Sequence, residues 1–124
     1  MATVALTEAT FEETIKSNDI VLLDFWAEWC APCRMFGPTF EKSSDANPDI
    51  VHAKIDTEAE QGLAAAAGIT SIPTLMAFRE GVLVFNQPGA LQGSQLQQVV
   101  DAVKALDMED VRKQIAEQDG AKEA

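Results

Sequence analysis

Residues 20–34 read IVLLDFWAEWCAPCR, in which an apolar run leads directly into the start of a helix. The run Ile20–Ala27 lacks apolar and polar alternation, which is typical of a strand covered on both faces. Pro32 suits the first turn of the helix that follows. Cys30 and Cys33 fall at the junction of the two elements. This stretch therefore predicts a central strand that delivers two thiols to a helix N-terminus.

Strands and helices alternate along residues 3–105, and the pattern includes a hairpin. Helical crossovers join the first three strands, so these strands should be parallel. Glu80-Gly81 predicts a tight turn whose flanking strands add antiparallel pairing. The expected fold class is α/β, with a central mixed five-stranded sheet and helices on both faces. The predicted strands are 3–6, 20–27, 50–55, 74–79 and 82–87, and the predicted helices are 7–17, 32–46, 58–67 and 95–105, the last capped by Ser94.

The composition limits the classes of partner. Nine Lys and Arg against twenty Asp and Glu give a formal net charge of -11, which repels nucleic-acid phosphates and anionic lipid headgroups. The opening MATVALTEAT lacks the basic and long apolar regions of a secretory signal, and no apolar run approaches the roughly 20 residues that cross a bilayer. We therefore expect a cytoplasmic protein that binds neither nucleic acid nor membranes.

The pattern changes after Leu106. The length of 124 residues suits one hydrophobic core, and the periodic elements predict that residues 1–106 form this domain. The acidic residues 107–124 carry only Val111 and Ile115 at helical spacing. We expect this C-terminal extension to be partly helical or disordered.

The two cysteines are placed for thiol chemistry. The positive end of a helix dipole and its free amides favour a thiolate at Cys30, and a thiolate is the attacking species in disulfide exchange. Cys33 lies one turn into the helix, where its sulfur can reach Cys30 while being less exposed to solvent. Its expected role is to resolve a mixed disulfide formed by Cys30.

Two other interpretations of the cysteine pair stay open at this point. A Cys-x-x-Cys unit can be half of a metal site, but zinc or iron would need two further ligands, and His52 is the single histidine. We expect no metal, and we expect His52 to be a surface residue of the third strand without a role. A purely structural disulfide is disfavoured because the cytosol keeps thiols reduced.

Several separated motifs make the chain resemble the thioredoxin family over about residues 3–105. The segment DFWAEWCAPCR at residues 24–34 resembles the active-site segment of that family. The chain departs from the family at Ala31, where glycine is most common, and in its C-terminal extension. Further matches, in chain order, are Pro38 in the second helix, Lys54 and Asp56 on the third strand, the cis-proline loop Ile72-Pro73-Thr74, and the loop Gly89-Ala90.

The resemblance implies roles for residues around the cysteines. Asp24 alone could be a core acid satisfied by backbone donors, but the resemblance implies that it deprotonates Cys33 through water, with Lys54 as its electrostatic neighbour. Burial should raise its pKa toward working pH, which suits a base. A cis bond before Pro73 would turn the Ile72 backbone toward the sulfurs, where it pairs with an extended substrate segment. The expected apolar rim around Cys30 comprises Trp29, Ala31, Pro32, Ile72, Gly89 and Ala90.

The function implied by the resemblance is that of a protein disulfide reductase. It would act as a monomer on varied protein disulfides, would bind no cofactor beyond its Cys30–Cys33 disulfide, and would be restored by thioredoxin reductase, an NADPH-dependent flavoprotein. One alternative is a thiol-disulfide oxidase or isomerase, for which Ala31 leaves room. The other is a binding module with the same fold, against which the intact cysteine pair, Asp24 and Pro73 argue.

Overall fold

The computed structural model describes the backbone of residues 2–123 and the side chains through residue 118. No helix of this described part is long and apolar enough to cross a membrane. The elements follow in the order β1 (Thr3–Ala5), α1 (Glu8–Ser17), β2 (Ile20–Trp26), α2 (Ala31–Ala46), β3 (Val51–Asp56), α3 (Gln61–Ala66), β4 (Thr74–Arg79), β5 (Val82–Pro88), α4 (Gly93–Ala105) and α5 (Met108–Glu123).

The five strands form one mixed sheet in the order β1-β3-β2-β4-β5. β3 pairs in parallel with β1 and β2, while β4 pairs antiparallel with β2 and β5. The predicted α/β class and mixed five-stranded sheet are confirmed. β2, the strand that precedes the cysteines, is the central strand of the sheet, with β3 on one side and β4 on the other. Its carboxyl end therefore lies between the ends of two neighbouring strands.

The two faces of β2 are covered by different helices, as its unbroken apolar sequence predicts. Ile20 and Leu22 face a cluster that includes Phe36 and Phe40 of α2 and three residues of α4. Val21, Leu23 and Phe25 face the opposite side, against Ile15 of α1 and half-buried Leu63 of α3. Asp24, the even-numbered residue between Leu22 and Trp26, consequently points toward the side of α2.

Two predicted helix starts were wrong. The helix predicted from Glu58 begins at Gln61, because the Asp56 Oδ1 atom accepts the amides of Glu58 at 2.9 Å and Ala59 at 3.3 Å and holds a turn there. The helix predicted to be capped by Ser94 begins at Gly93. Its capping residue is Gln92, whose amide donates to Gln95 Oε1 at 2.9 Å.

A further helix, α5, occupies the C-terminal extension. Met108 is buried, and Arg112 donates to Glu80 Oε1 at 2.7 Å, so the first turns of α5 are tied to the β4–β5 hairpin. Residues 112–118 are exposed. Whether residue 106 ends an independent domain stays a prediction.

His52 is buried, and its predicted surface position was wrong. The residue is 1% exposed, and its ring fills the space between its own strand and α2. Nε2 lies 2.9 Å from Ser43 Oγ, and Nδ1 lies 3.1 Å from the Ile50 carbonyl oxygen. Burial lowers the pKa of His52. The error arises because α2 covers this face of β3, with Ser43 and Phe40 against the ring.

Candidate active site

The Cys30–Cys33 pair lies at the start of α2, just after the short loop that follows β2. Cys30 is the N-cap residue of α2, and its Sγ accepts the Cys33 amide hydrogen at 3.2 Å. The two residues form a disulfide with their Cα atoms 5.2 Å apart. Pro32 occupies the first helical turn, where its missing N–H costs no hydrogen bond. The first sulfur therefore receives both a helix amide and the positive end of the helix dipole, which stabilise a thiolate there once the bond is reduced.

The two cysteines are equally buried, each 4% exposed, so the expectation that Cys33 is the more shielded is wrong by this measure. Their surroundings still differ. In the described part of the chain, Cys30 is the cysteine that lines an open groove. Cys33 follows on the inward face of α2 in register with buried Phe36 and Phe40. Access from outside therefore favours Cys30 as the attacking sulfur.

The groove beside Cys30 has a volume of about 440 Å³ and is built from four stretches of the chain. Trp29, Ala31, Pro32 and Ile72 line it as predicted, whereas Gly89 and Ala90 are not among its lining residues. Thr57, Ala64 and residues 69–71 also line it and were missed. Residues 69–71 directly precede Ile72. Their position in the loop before Pro73 could have predicted that they line the groove.

The Ile72–Pro73 peptide bond is cis, as the resemblance implied. The Ile72 carbonyl oxygen lies 3.6 Å from Cys30 Sγ, which places main-chain polar atoms directly beside the first sulfur. Gly89 donates its amide to the Pro73 carbonyl oxygen at 2.8 Å and adopts a φ of 104°. This hydrogen bond ties the Gly89-Ala90 loop to the Pro73 loop.

Trp29 is the large apolar residue most available at the site. Its side chain is 67% exposed, and its indole N–H donates to Glu58 Oε1 at 2.6 Å. The hydrogen bond holds the ring at the mouth of the groove, where it can contact another protein.

Asp24 is fully buried on the α2 side of β2, and neither carboxylate oxygen has a hydrogen-bond partner among the described residues. The interpretation of Asp24 as a core acid satisfied by backbone donors is therefore wrong. Burial raises the pKa of Asp24 to about 7, against the smaller opposing effect of the Lys54 charge. A carboxyl group with this pKa exchanges a proton near neutral pH.

Lys54 pairs with Asp24 in the register of β2 and β3, so the two side chains leave the sheet on the same face. Its Nζ atom lies 5.0 Å from the centroid of the Trp26 ring, a cation–π distance. The ammonium group is thereby held on the α2 side of the sheet, from where its charge acts on Asp24 through space.

Metal ligation finds no support in the described residues. They contain no group of three or more His, Cys, Asp or Glu side chains that could hold a metal ion. His52 uses both ring nitrogens within the core, where Ser43 Oγ and the Ile50 carbonyl oxygen are their partners.

Comparison with known proteins agrees with this geometry. The family model described as Thioredoxin matches residues 2–102. Putative thioredoxin 2 of Streptomyces coelicolor is 56% identical over 117 residues, which cover 94% of this chain and 87% of that protein. Thioredoxin C-3 of Corynebacterium nephridii is 44% identical over 99 residues, covering 79% of this chain and 68% of the relative.

Solved structures give the same result. A mutant thioredoxin from Halobacterium salinarum superposes with a TM-score of 0.78 at 31% identity, covering 85% of this chain and 92% of that one. Plasmodium falciparum thioredoxin gives a TM-score of 0.75 at 31% identity, covering 81% and 97%. With the matching family model, the shared fold and a disulfide-forming Cys-x-x-Cys pair at a helix start, the chain belongs to the thioredoxin family of protein disulfide reductases.

Proposed function

We propose that this protein reduces disulfide bonds of client proteins in the cytoplasm, with Cys30 as the attacking and Cys33 as the resolving residue. The observation that carries these roles is the position of Cys30 Sγ, which accepts the Cys33 amide at 3.2 Å and lines the open groove beside Ile72. In the reduced protein, that amide and the helix dipole favour a Cys30 thiolate.

The reaction is a two-electron exchange in two displacements. The Cys30 thiolate attacks one client sulfur, forming a mixed disulfide and releasing the other client sulfur as a thiolate. The Cys33 thiolate then attacks Cys30 Sγ, which forms the Cys30–Cys33 disulfide and releases the second client thiolate. The protein dithiol is oxidised, and the client disulfide is reduced.

Asp24 is the base in the second displacement. Its buried carboxylate accepts the Cys33 proton through water, and its pKa of about 7 places that transfer near neutral pH. Lys54 stabilises the ionised carboxylate from the neighbouring strand. Both assignments rest on the burial and register of these residues.

The client segment binds across the groove. The Ile72 main chain, 3.6 Å from Cys30 Sγ, pairs with an extended client strand, while Trp29, Ala31 and Pro32 form an apolar rim that tolerates varied sequences. Pro73 presents no amide hydrogen beside the thiolate. Gly89 supports the Pro73 loop through its hydrogen bond to the Pro73 carbonyl oxygen.

In the proposed function, the protein works as a monomer and needs no cofactor beyond its own disulfide. Thioredoxin reductase, using NADPH, returns it to the reduced dithiol form. Residues 1–106 form the catalytic domain, to which α5 is an appendage. The alternative of an oxidase or isomerase would require a less reducing potential, and Ala31, beside the attacking sulfur, is the feature that favours it.

The test is insulin reduction followed by turbidity with dithiothreitol as electron donor. The protein should accelerate precipitation of the insulin B chain, and the Cys30→Ser variant should not. Equal rates for the two proteins would remove the reductase proposal in favour of a binding module. Equilibration of the protein with glutathione then separates a reductant from an oxidant.

A further inference from the structure

Gly37 is a glycine in the interior of α2, where glycine is less stable than alanine. Its backbone does not require glycine, because the positive-φ glycines of the described chain are Gly68, Gly81 and Gly89. The residue is half-buried, so one side of it faces the sheet. The reason for a bare Cα at this position must lie in what the missing side chain would contact.

A Cβ atom at position 37 would lie 3.8 Å from Lys54 Nζ. The same ammonium group lies 5.0 Å from the Trp26 ring centroid, and the register of β2 and β3 puts Asp24 beside Lys54 on this face. The ammonium of half-buried Lys54 therefore lies beside the Trp26 ring and the Cα of Gly37, on the same face of the sheet as Asp24.

We propose that Gly37 is a positioning residue, whose bare Cα leaves hydrated space beside Lys54 Nζ and so keeps the ammonium within electrostatic reach of Asp24. A methyl group at 3.8 Å does not clash, but it removes water from one side of a cation. Loss of hydration is costly for a charged group, and a lysine can recover water by extending its flexible stem outward. The ammonium would then move away from Asp24.

Lys54 is the charged group acting on Asp24 among the described residues. The other strand beside Asp24, β4, contributes the neutral Leu75 at the paired position, and α2, which covers this face, carries the buried Cys33, a thiol once the disulfide is reduced. Displacement of Lys54 should therefore make Asp24 harder to ionise. The effect on Asp24 ionisation does not depend on the proposed function. The effect on catalysis does, because it rests on the proposed role of Asp24 as the base for Cys33.

The first measurement is the carboxyl-carbon NMR titration of Asp24 in the oxidised protein. Gly37→Ala should raise the titration midpoint by about 0.5 pH unit, a fraction of the shift that a neighbouring opposite charge produces. Gly93→Ala is the matched control, since a Cβ at that helical glycine meets nothing within 4 Å. It should leave the midpoint unchanged.

A Lys54→Met background tests whether the effect passes through the lysine. There, Gly37→Ala should shift the Asp24 midpoint much less than in the parent protein. An unchanged midpoint in Gly37→Ala, or an equal shift with and without Lys54, would overturn the inference.

The second measurement is the pH dependence of mixed-disulfide resolution in a single turnover. Its midpoint should rise in Gly37→Ala by the same amount as the NMR midpoint, while the Gly93→Ala protein follows the parent. If the NMR midpoint moves and the kinetic midpoint does not, Gly37 positions Lys54 as inferred, but Asp24 is not the base. The two proposals can therefore fail separately.

Discussion

Asp24 and His52 are two buried titratable groups on the same face of the sheet, and they differ in their partners. Both His52 ring nitrogens have hydrogen-bond partners in Ser43 and Ile50, whereas neither Asp24 oxygen has one among the described residues. Burial lowers the pKa of His52 and raises that of Asp24. In each case burial favours the neutral form, but only Asp24 lacks hydrogen-bond partners among the described residues and lies on the strand that leads into the cysteine pair.

The contrast has opposite consequences for stability. The folded protein holds the Asp24 proton up to about pH 7, whereas the unfolded chain releases it near pH 3.8, so this group destabilises the fold increasingly as pH rises between those values. For His52, the unfolded chain binds a proton as pH falls through about 6.5, which the folded state resists. That group therefore destabilises the fold increasingly as pH falls.

The largest expected effect separates the cysteines from both buried groups. Cys33→Ser should trap a protein disulfide client as a mixed disulfide on a non-reducing gel, and Cys30→Ser should trap none, because only Cys30 attacks the client. Adding Asp24→Asn or His52→Ala to the Cys33→Ser protein should leave the trapped fraction unchanged, since trapping precedes the step that needs a base. Equal trapping by the two single variants would remove the assigned cysteine roles.

Asp24→Asn should slow mixed-disulfide resolution by about 100-fold near pH 7, the lower end of what a general base contributes. The same variant should be more stable than the parent at pH 8, by up to about 4 kcal/mol. At that pH the parent buries a charged carboxylate whose pKa is about 7 in the folded protein and about 3.8 in the unfolded chain, and the neutral amide avoids that cost. The stability advantage should disappear at pH 4. Denaturant melts at both pH values and rapid-quench kinetics check the two effects, and a destabilised variant with parental kinetics would make Asp24 a structural acid.

His52→Ala should show the reverse behaviour. Removing the ring leaves Ser43 Oγ and the Ile50 carbonyl without their buried partner and opens a cavity beside Phe40, so we expect a loss of about 2 to 4 kcal/mol in unfolding free energy. Resolution kinetics should stay within about twofold of the parent under conditions where the variant is folded. A kinetic loss comparable to that of Asp24→Asn would erase the distinction between the two groups.

The smallest effect is expected from truncation after Asp107. The residues that act on the cysteines precede that point, and α5 contacts the hairpin through Arg112 and Glu80 rather than the groove. The truncated protein should retain insulin reduction within tenfold of the parent, and the Asp24 titration midpoint should not move. A larger loss, equivalent to more than about 1.4 kcal/mol in the barrier, would show that α5 supports the site.

The succession of strands and helices and the location of the cysteine pair could be predicted from the sequence because local signals specify them. The unbroken apolar run of β2, the helix start at Pro32 and the turn at Glu80-Gly81 each determine an element from nearby residues. The environment of His52 could not be predicted, because VHAKID alternates like a strand with one exposed face, and only the packing of α2 on that face buries the ring.

The groove wall escaped prediction for a related reason. Thr57 lies in a turn, Ala64 in a two-turn helix, and Ile69 in a loop, none of which carries a periodic pattern that points at Cys30. Their convergence depends on the direction of the loop before Pro73. The lack of hydrogen-bond partners for the Asp24 carboxylate also required the structure. The sequence shows that the residue lies in a buried strand, but not whether donors reach its oxygens.

The most direct test of the central claim is the rate of mixed-disulfide resolution as a function of pH, with the Asp24 titration followed by NMR in the same protein. We predict that the rate rises with an apparent pKa near 7 that coincides with the Asp24 carboxyl midpoint, and that this step of the profile is lost in Asp24→Asn. An Asp24 midpoint near 4, or a resolution profile that is the same in Asp24→Asn, would contradict the claim that an unpartnered buried carboxyl prepares Cys33.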